Sequence, residues 1–264
     1  MDPVSGSRTF RVAGSDYDRF MGRYSQPLAG LFAACAGLQR GQRVLDVGCG
    51  PGALTGVLSD LVGLDAVAAI DPTDSFIAAC RERHPGVDVR MGSAEEIPFG
   101  DAEFDAALAQ LVLHFVSDPA EAGREMRRVV KPGGAIAACV WDFEGGMEML
   151  RVFWDAALDV DPHAPDEARV MPYGRPGEIT CWMEVAGLTA IEETTLHVAS
   201  TYRDFDELWA GFLAGVGPAG AYCVGQDADR RAAIRLALFD RLGEPTGEFQ
   251  LGAAARSAVG RVPT

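Results

Sequence analysis

Lysine is almost missing from this chain: Lys131 is the only one in 264 residues, so nearly all positive charge is arginine. Positive charge is scarce altogether, with 23 Lys and Arg against 38 Asp and Glu and a formal net charge of −15 at pH 7. Such a surface repels a phosphate backbone and an anionic bilayer, which argues against nucleic acid or a membrane as partner. Cysteine pairing is missing too. The six cysteines (Cys35, Cys49, Cys80, Cys139, Cys181, Cys223) are scattered, form no C-x-x-C, and mostly sit in apolar segments as small hydrophobes. Reduced thiols in a cytoplasmic protein are expected. No apolar run reaches the length of a membrane span, and none near the N-terminus suits a signal peptide. His84, His163 and His197 lie too far apart to suggest a metal site. There is no internal repeat and no low-complexity tract.

What is present is alternation. From Arg43 the pattern predicts strand 43–47, helix 52–61, strand 66–70, helix 73–83, strands 87–91 and 104–109, helix 118–130 and strand 134–141. Alternation of this kind implies an α/β fold with a mostly parallel sheet covered by helices on both faces. Two helices carry clear local signals. Leu54, Val57, Leu58 and Leu61 fall at helical spacing behind Pro51. Asp118-Pro119 followed by Glu121 is an N-terminal signature, and Lys131-Pro132-Gly133-Gly134 stops that helix. After Trp141 the rhythm changes, with helices predicted at 146–158, 176–186, 204–214 and 227–242 and strands at 189–199 and 248–259. Residues 1–15 are polar and glycine-rich and are expected to be disordered. The rest, 16–264, is expected to form a single domain, with 16–36 as N-terminal lid helices and about 200–246 as a helical cap insertion.

The most informative stretch is Val44-Leu45-Asp46-Val47-Gly48-Cys49-Gly50-Pro51-Gly52-Ala53, an apolar strand breaking into alternate glycines. Glycine lets backbone N–H groups approach a ligand closely. Gly48, Gly50 and Ala53 satisfy the G-x-G-x-x-G/A spacing of a dinucleotide turn, with Asp71 about twenty residues on. Asp46 points elsewhere: a carboxylate two residues before the first glycine repels a pyrophosphate and favours a cationic ligand. An NAD-dependent oxidoreductase is the alternative, against which also stands the absence of a Tyr-x-x-x-Lys dyad.

The string at Val44–Ala53 resembles motif I of the class I S-adenosylmethionine (SAM)-dependent methyltransferases, whose ligand carries a sulfonium and an ammonium. Ile70-Asp71-Pro72 matches that family's acid at the end of the second strand, and Met91-Gly92-Ser93-Ala94-Glu95-Glu96-Ile97-Pro98-Phe99 resembles the type 11 methyltransferases, which include ubiquinone and menaquinone biosynthesis enzymes. The resemblance covers residues 16–142. It implies a Rossmann-like seven-stranded sheet with an antiparallel final hairpin, and a small-molecule acceptor that is partly apolar. It further implies that Gly48, Cys49 and Gly50 shape the cofactor turn, that Asp71 and Pro72 meet the ribose, and that Ser93, Ala94 and Glu95 meet the adenine. Ser93 stands where the family often has aspartate. Gln110 falls where related chains pass beneath the methyl group. Tyr17, Arg23 and Tyr24 belong to an N-terminal segment that would close over the cofactor, with Arg23 pairing its carboxylate and a tyrosine ring shielding the sulfonium. His114, just beyond a strand end, is the candidate general base. A SAM-binding regulatory protein without transfer activity is the second alternative. Trp141, Met147, Met149, Phe153, Trp154, Tyr173, Trp182, Trp209, Phe212 and Tyr222 are candidates for the cap core and an acceptor pocket.

Overall fold

Val, Ile, Leu and Ala run almost unbroken through β1 (Val44–Val47), β2 (Val67–Asp71) and, beyond β3 (Asp88–Met91), β4 (Phe104–Gln110). Strands of that composition are stable only when both faces are covered, which is the condition of a parallel sheet between helices. The computed structural model describes residues 18–264, with side chains from Phe20 onward. Tyr17 and the segment 1–15 lie outside them. With β5 (Val130–Trp141), β6 (Thr189–Tyr202) and β7 (Phe249–Arg261), the strands form one seven-stranded sheet in the order β3-β2-β1-β4-β5-β7-β6. Strands β1 to β5 are parallel, and β7 runs antiparallel between β5 and β6. This is the expected mostly parallel sheet with its antiparallel final hairpin.

Helices α1 (Arg23–Cys35), α2 (Ala53–Val62), α3 (Asp74–Arg83) and α4 (Pro119–Val129) accompany the parallel strands. At α4 the Asp118 carboxylate accepts from the Glu121 backbone N–H at 3.0 Å, and Ala122, Met126 and Val129 form the buried stripe. The Lys131–Gly134 turn is looped out of β5: Val130 pairs with Phe104 and Ala135 with Ala106, so the intervening residues bulge while Lys131 Nζ fastens to Asp105 at 2.7 Å.

Beyond β5 come α5 (Glu148–Val160), α6 (Glu167–Val170) and α7 (Glu178–Val185). Helices α8 (Phe205–Leu213), α9 (Gly217–Gly225) and α10 (Ala228–Arg241) fill the connection between β6 and β7. The pattern predicted neither α6 nor α9. The first is a single turn, and the second is composed of Gly, Ala, Pro, Tyr, Cys and Val with no polar stripe to give it a period. Phe212 stacks on Phe153 with centroids 4.2 Å apart, and Phe20 meets Phe212 edge-on at 5.3 Å, so α8 is locked both to α5 and to the N-terminal segment. No single helix among the described residues is long and apolar enough to cross a membrane. The order of strands reverses between β1 and β4, and in open α/β sheets that point opens a crevice at the carboxyl ends of the strands.

Candidate active site

Into that crevice the chain turns from β1 through Gly48, Cys49 and Gly50. Gly48 has φ +72, and a Cβ there would lie 2.5 Å from Val112 Cγ2, so only glycine fits. Its N–H and that of Cys49 both donate to the Ile70 carbonyl, at 2.8 and 2.9 Å. Gly50 N–H donates to Asp71 Oδ2 at 2.9 Å, and Gly52 N–H to the Cys49 carbonyl at 2.9 Å. Pro51 has no N–H. The turn amides are thus spent within the turn and on β2, which corrects the expectation that they face the ligand. A pyrophosphate cradle needs such groups free, so this turn is unsuited to a dinucleotide.

Asp46 lies beneath the turn, 1% exposed. Its Oδ2 accepts from the Thr55 hydroxyl at 2.6 Å, while Oδ1 has no partner. Burial pushes its pKa up to about 7. Enclosed between β1 and α2, it does not line the crevice, and the expectation that it meets a cationic ligand directly is corrected: Asp46 anchors the start of α2. Its raised pKa means that its stabilising contribution is full when the carboxyl is protonated in both states and falls as pH rises toward 7. His114 acts with the opposite sign, so the variant must be compared with the parent at each pH. Asp46→Asn should gain in melting temperature over the parent by at least about 3 °C more at pH 8 than at pH 5. A difference independent of pH in thermal melts would show that Asp46 is ionised in the fold at both.

A cavity of about 560 Å³ opens above the turn, a size that suits a small organic ligand. Gly48, Gly50, Asp71, Pro72, Ser93, Ala94, Glu95 and Gln110 all line it. These eight predicted positions come from four separate loops that the sheet brings together. Asp71, 6% exposed, accepts from Gly50 N–H through Oδ2 and from Thr73 N–H through Oδ1, each at 2.9 Å. Burial raises its pKa against the effect of those bonds. Glu95 Oε1 accepts from the Ser117 N–H at 2.8 Å, fixing the opposite rim. Gln110 Nε2 donates to the Ser25 carbonyl of α1 at 3.0 Å, and its buried Oε1 has no partner.

Among the described residues the lining has three carboxylates, Asp71, Glu95 and Asp118, and no basic side chain. That charge disfavours a polyphosphate and suits SAM, whose sulfonium and ammonium are cationic. Gln110 Oε1, without a partner among the described residues, leaves an acceptor open, and Pro72, Phe76, Val112 and Val116 form an apolar wall. Among the described residues no group of His, Cys, Asp and Glu is arranged to hold a metal.

Leu111 and Phe115 also line a second, narrow cavity of about 40 Å³. Leu111 is held in the left-handed region, φ +62, with its N–H on the Cys139 carbonyl at 2.8 Å. Phe20, Met21, Trp141, Phe143, Leu150 and the segment 216–219 supply the apolar walls, and His114 and Glu167 the polar groups. His114 is 8% exposed, edge-on to Phe115 and Phe143 at 4.3 and 5.4 Å, with Nδ1 unpartnered. Burial pushes its pKa down to about 3, so the imidazole is neutral and weakly basic. Burial thus makes His114 a weaker base than its position in the sequence suggests. Glu167, 3% exposed, accepts from Trp154 Nε1 at 2.8 Å, and burial pushes its pKa up to about 7. Sequence reading missed it: a single Glu in a polar loop carries no signal.

Other predicted residues lie elsewhere. Tyr17 is outside the described residues. Arg23 does not reach the cofactor cavity: its guanidinium donates to Glu207 Oε1 at 2.8 Å and the Thr201 carbonyl at 3.1 Å, over the Tyr202 ring. Tyr24 is fully buried with its hydroxyl 3.1 Å from that of Tyr202. Both fasten α1 to β6 and the cap because Glu207 and Tyr202 compete for them more closely than any ligand. Cys49 is buried against Cys80, and hydrogen bonding to it together with burial raises its thiol pKa. Of the cap aromatics, Trp141 lines the narrow cavity. Met147, Met149, Phe153, Trp154, Trp182, Trp209 and Phe212 are core.

Sheet order and glycine turn together give the Rossmann-like α/β fold found in methyltransferases, a mostly parallel seven-stranded sheet with an antiparallel final hairpin. Residues 45–138 match the family model described as a methyltransferase domain. An uncharacterized methyltransferase of Mycobacterium tuberculosis is 40% identical over 139 residues, 52% of this chain and 53% of that one. A ubiquinone/menaquinone biosynthesis C-methyltransferase of Cronobacter sakazakii is 40% identical over 109 residues, 39% of this chain and 43% of that one. The chain thus spans about half or less of the length of the curated relatives it matches. Among solved structures, the YcgJ protein of Bacillus subtilis superposes with a TM-score of 0.57 over 89% of this chain and 98% of that one, at 18% identity. That likeness shows the fold.

Proposed function

We propose that this chain transfers a methyl group from SAM to a small, partly apolar acceptor by in-line displacement. The observation that carries this reading is the pair of cavities with Leu111 and Phe115 in common: one wide and lined by carboxylates, the other narrow and aromatic. When bound, SAM supplies an electrophilic methyl on a sulfonium. Asp71 holds the turn through Gly50 and Thr73 and presents its remaining lone pairs to the ribose hydroxyls. Ser93, Ala94 and Glu95 meet the adenine, and Gln110 accepts from the ammonium. Phe115 and Leu111, common to both cavities, flank the junction where acceptor and methyl group meet and exclude water from the reacting centre. Positioning in that chamber can account for about 7–11 kcal/mol of the barrier.

The test is acceptor-dependent formation of S-adenosylhomocysteine from SAM, followed by mass spectrometry across a panel of small apolar alcohols, amines, thiols and enols. A single methyl gained by one class supports the proposal. Tight binding of SAM with no transfer to any class would support the regulatory reading instead.

A further inference from the structure

The narrow cavity holds a carboxylate, Glu167, that has no cationic partner among the described residues. The Glu167 carboxylate receives the Trp154 indole N–H, and its charged neighbour is Asp166, of like sign. Asp166 has its own cation, Arg151, at 3.0 Å, and also caps α6 through the Ala168 N–H. An ionised carboxylate in such surroundings is destabilised until a cation joins it. Phe20, Phe115, Trp141 and Phe143 supply aromatic walls beside the aliphatic Met21, Leu111, Leu150 and the segment 216–219, and aromatic rings attract a desolvated ammonium. His114 is neutral there and adds no positive charge, while its fully buried, unpartnered Nδ1 leaves a second polar contact open.

We infer that Glu167 is the anchor for the acceptor, and that the acceptor is an amine on an apolar body, bound as its ammonium between Glu167 and the aromatic walls. This rests on the narrow cavity being the acceptor chamber. The chemistry balances. The ammonium gives one proton to the Glu167 carboxylate, leaving a neutral amine and a neutral carboxyl. The nitrogen lone pair forms the new N–C bond, the C–S bond breaks with its electron pair going to sulfur, and the product is a methylated ammonium with S-adenosylhomocysteine. A carboxylate whose pKa burial brings to about 7 is well matched to accept and return that proton near neutrality. The cavity is small, about 40 Å³, so it admits the amine end of the acceptor and not a large polar body.

The test uses calorimetry on the full chain without cofactor, so that it does not depend on the cofactor reading. The probes are primary amines from ethylamine to 2-phenylethylamine, each paired with the alcohol of the same carbon skeleton. At least one amine should bind about tenfold or more tightly than its alcohol, and Glu167→Gln should reduce that preference to under about twofold. Glu167→Gln keeps an acceptor for the Trp154 indole, and its S-adenosylhomocysteine affinity reports that the fold is intact. Trp154→Phe, which keeps the carboxylate, should retain the amine preference. Equal binding of amine and alcohol throughout the series, or a preference that survives Glu167→Gln, would overturn the assignment. Failure of the parent to bind S-adenosylhomocysteine would instead overturn the cofactor reading and leave the amine result standing.

Discussion

Replacing Asp71 by alanine should lower the affinity for S-adenosylhomocysteine by about thirtyfold or more, equivalent to about 2 kcal/mol. The carboxylate accepts from Gly50 and Thr73, both at 2.9 Å, and hydrogen bonds to a charged group contribute about 1.5–3 kcal/mol each. Without it, two backbone donors at the cavity wall lose their acceptor. The Gly50 peptide then has no tie to β2, and the turn that forms the cavity floor is free to relax. Asp71→Asn should fall between the two, because one oxygen still accepts while the amide nitrogen faces an N–H. Calorimetry gives the affinities and thermal melts confirm the fold. Unchanged affinity in Asp71→Ala would mean that Asp71 is a turn residue alone.

Phe212→Ala should cost about 3–5 kcal/mol of stability, the usual range for removing a buried aromatic side chain. Phe212 is fully buried, stacks on Phe153 at 4.2 Å, meets Phe20 edge-on at 5.3 Å and lies at a tilt to Trp209 at 6.4 Å. Three elements meet on one ring, so its loss leaves a void that the surroundings cannot close without moving the cap. The melting temperature should fall by about 10 °C, whereas Leu236→Ala, at a 61% exposed position, should change it little. Affinity for S-adenosylhomocysteine should survive in Phe212→Ala at temperatures where the variant is folded, since the wide cavity is lined by residues from Gly48 to Asp118 and by none from the cap. A parallel loss of affinity would mean that the cap shapes the cofactor site.

Much of this was legible in the sequence for identifiable reasons. The parallel strands are short apolar runs, so periodicity located each within one or two residues, except the start of β5, which begins at Val130 and not at 134 because the Lys131–Gly134 turn bulges from within the strand. The cofactor loops announced themselves because glycine, acid and proline are tied to special backbone geometry at Gly48, Gly50, Asp71 and Pro72. Side-chain partners were another matter. Asp46 reads as a ligand contact until Thr55 is seen to occupy it, and Arg23 as a carboxylate partner until Glu207 is brought alongside from 184 residues away. Glu167 left no mark at all, because its significance comes from Trp154 and the aromatic walls. His114 was located at the right place and given the wrong basicity, since burial among Phe115 and Phe143 is not visible in one dimension.

The central claim is that the wide cavity binds a cationic adenosyl sulfonium and its thioether product, and not a dinucleotide. Calorimetric titration of the full chain with S-adenosylhomocysteine, with NAD+ and NADH run alongside, tests it most directly. Micromolar binding of S-adenosylhomocysteine with none of either nicotinamide is the expected result. Binding of NAD+ or NADH, with S-adenosylhomocysteine left free, would contradict it.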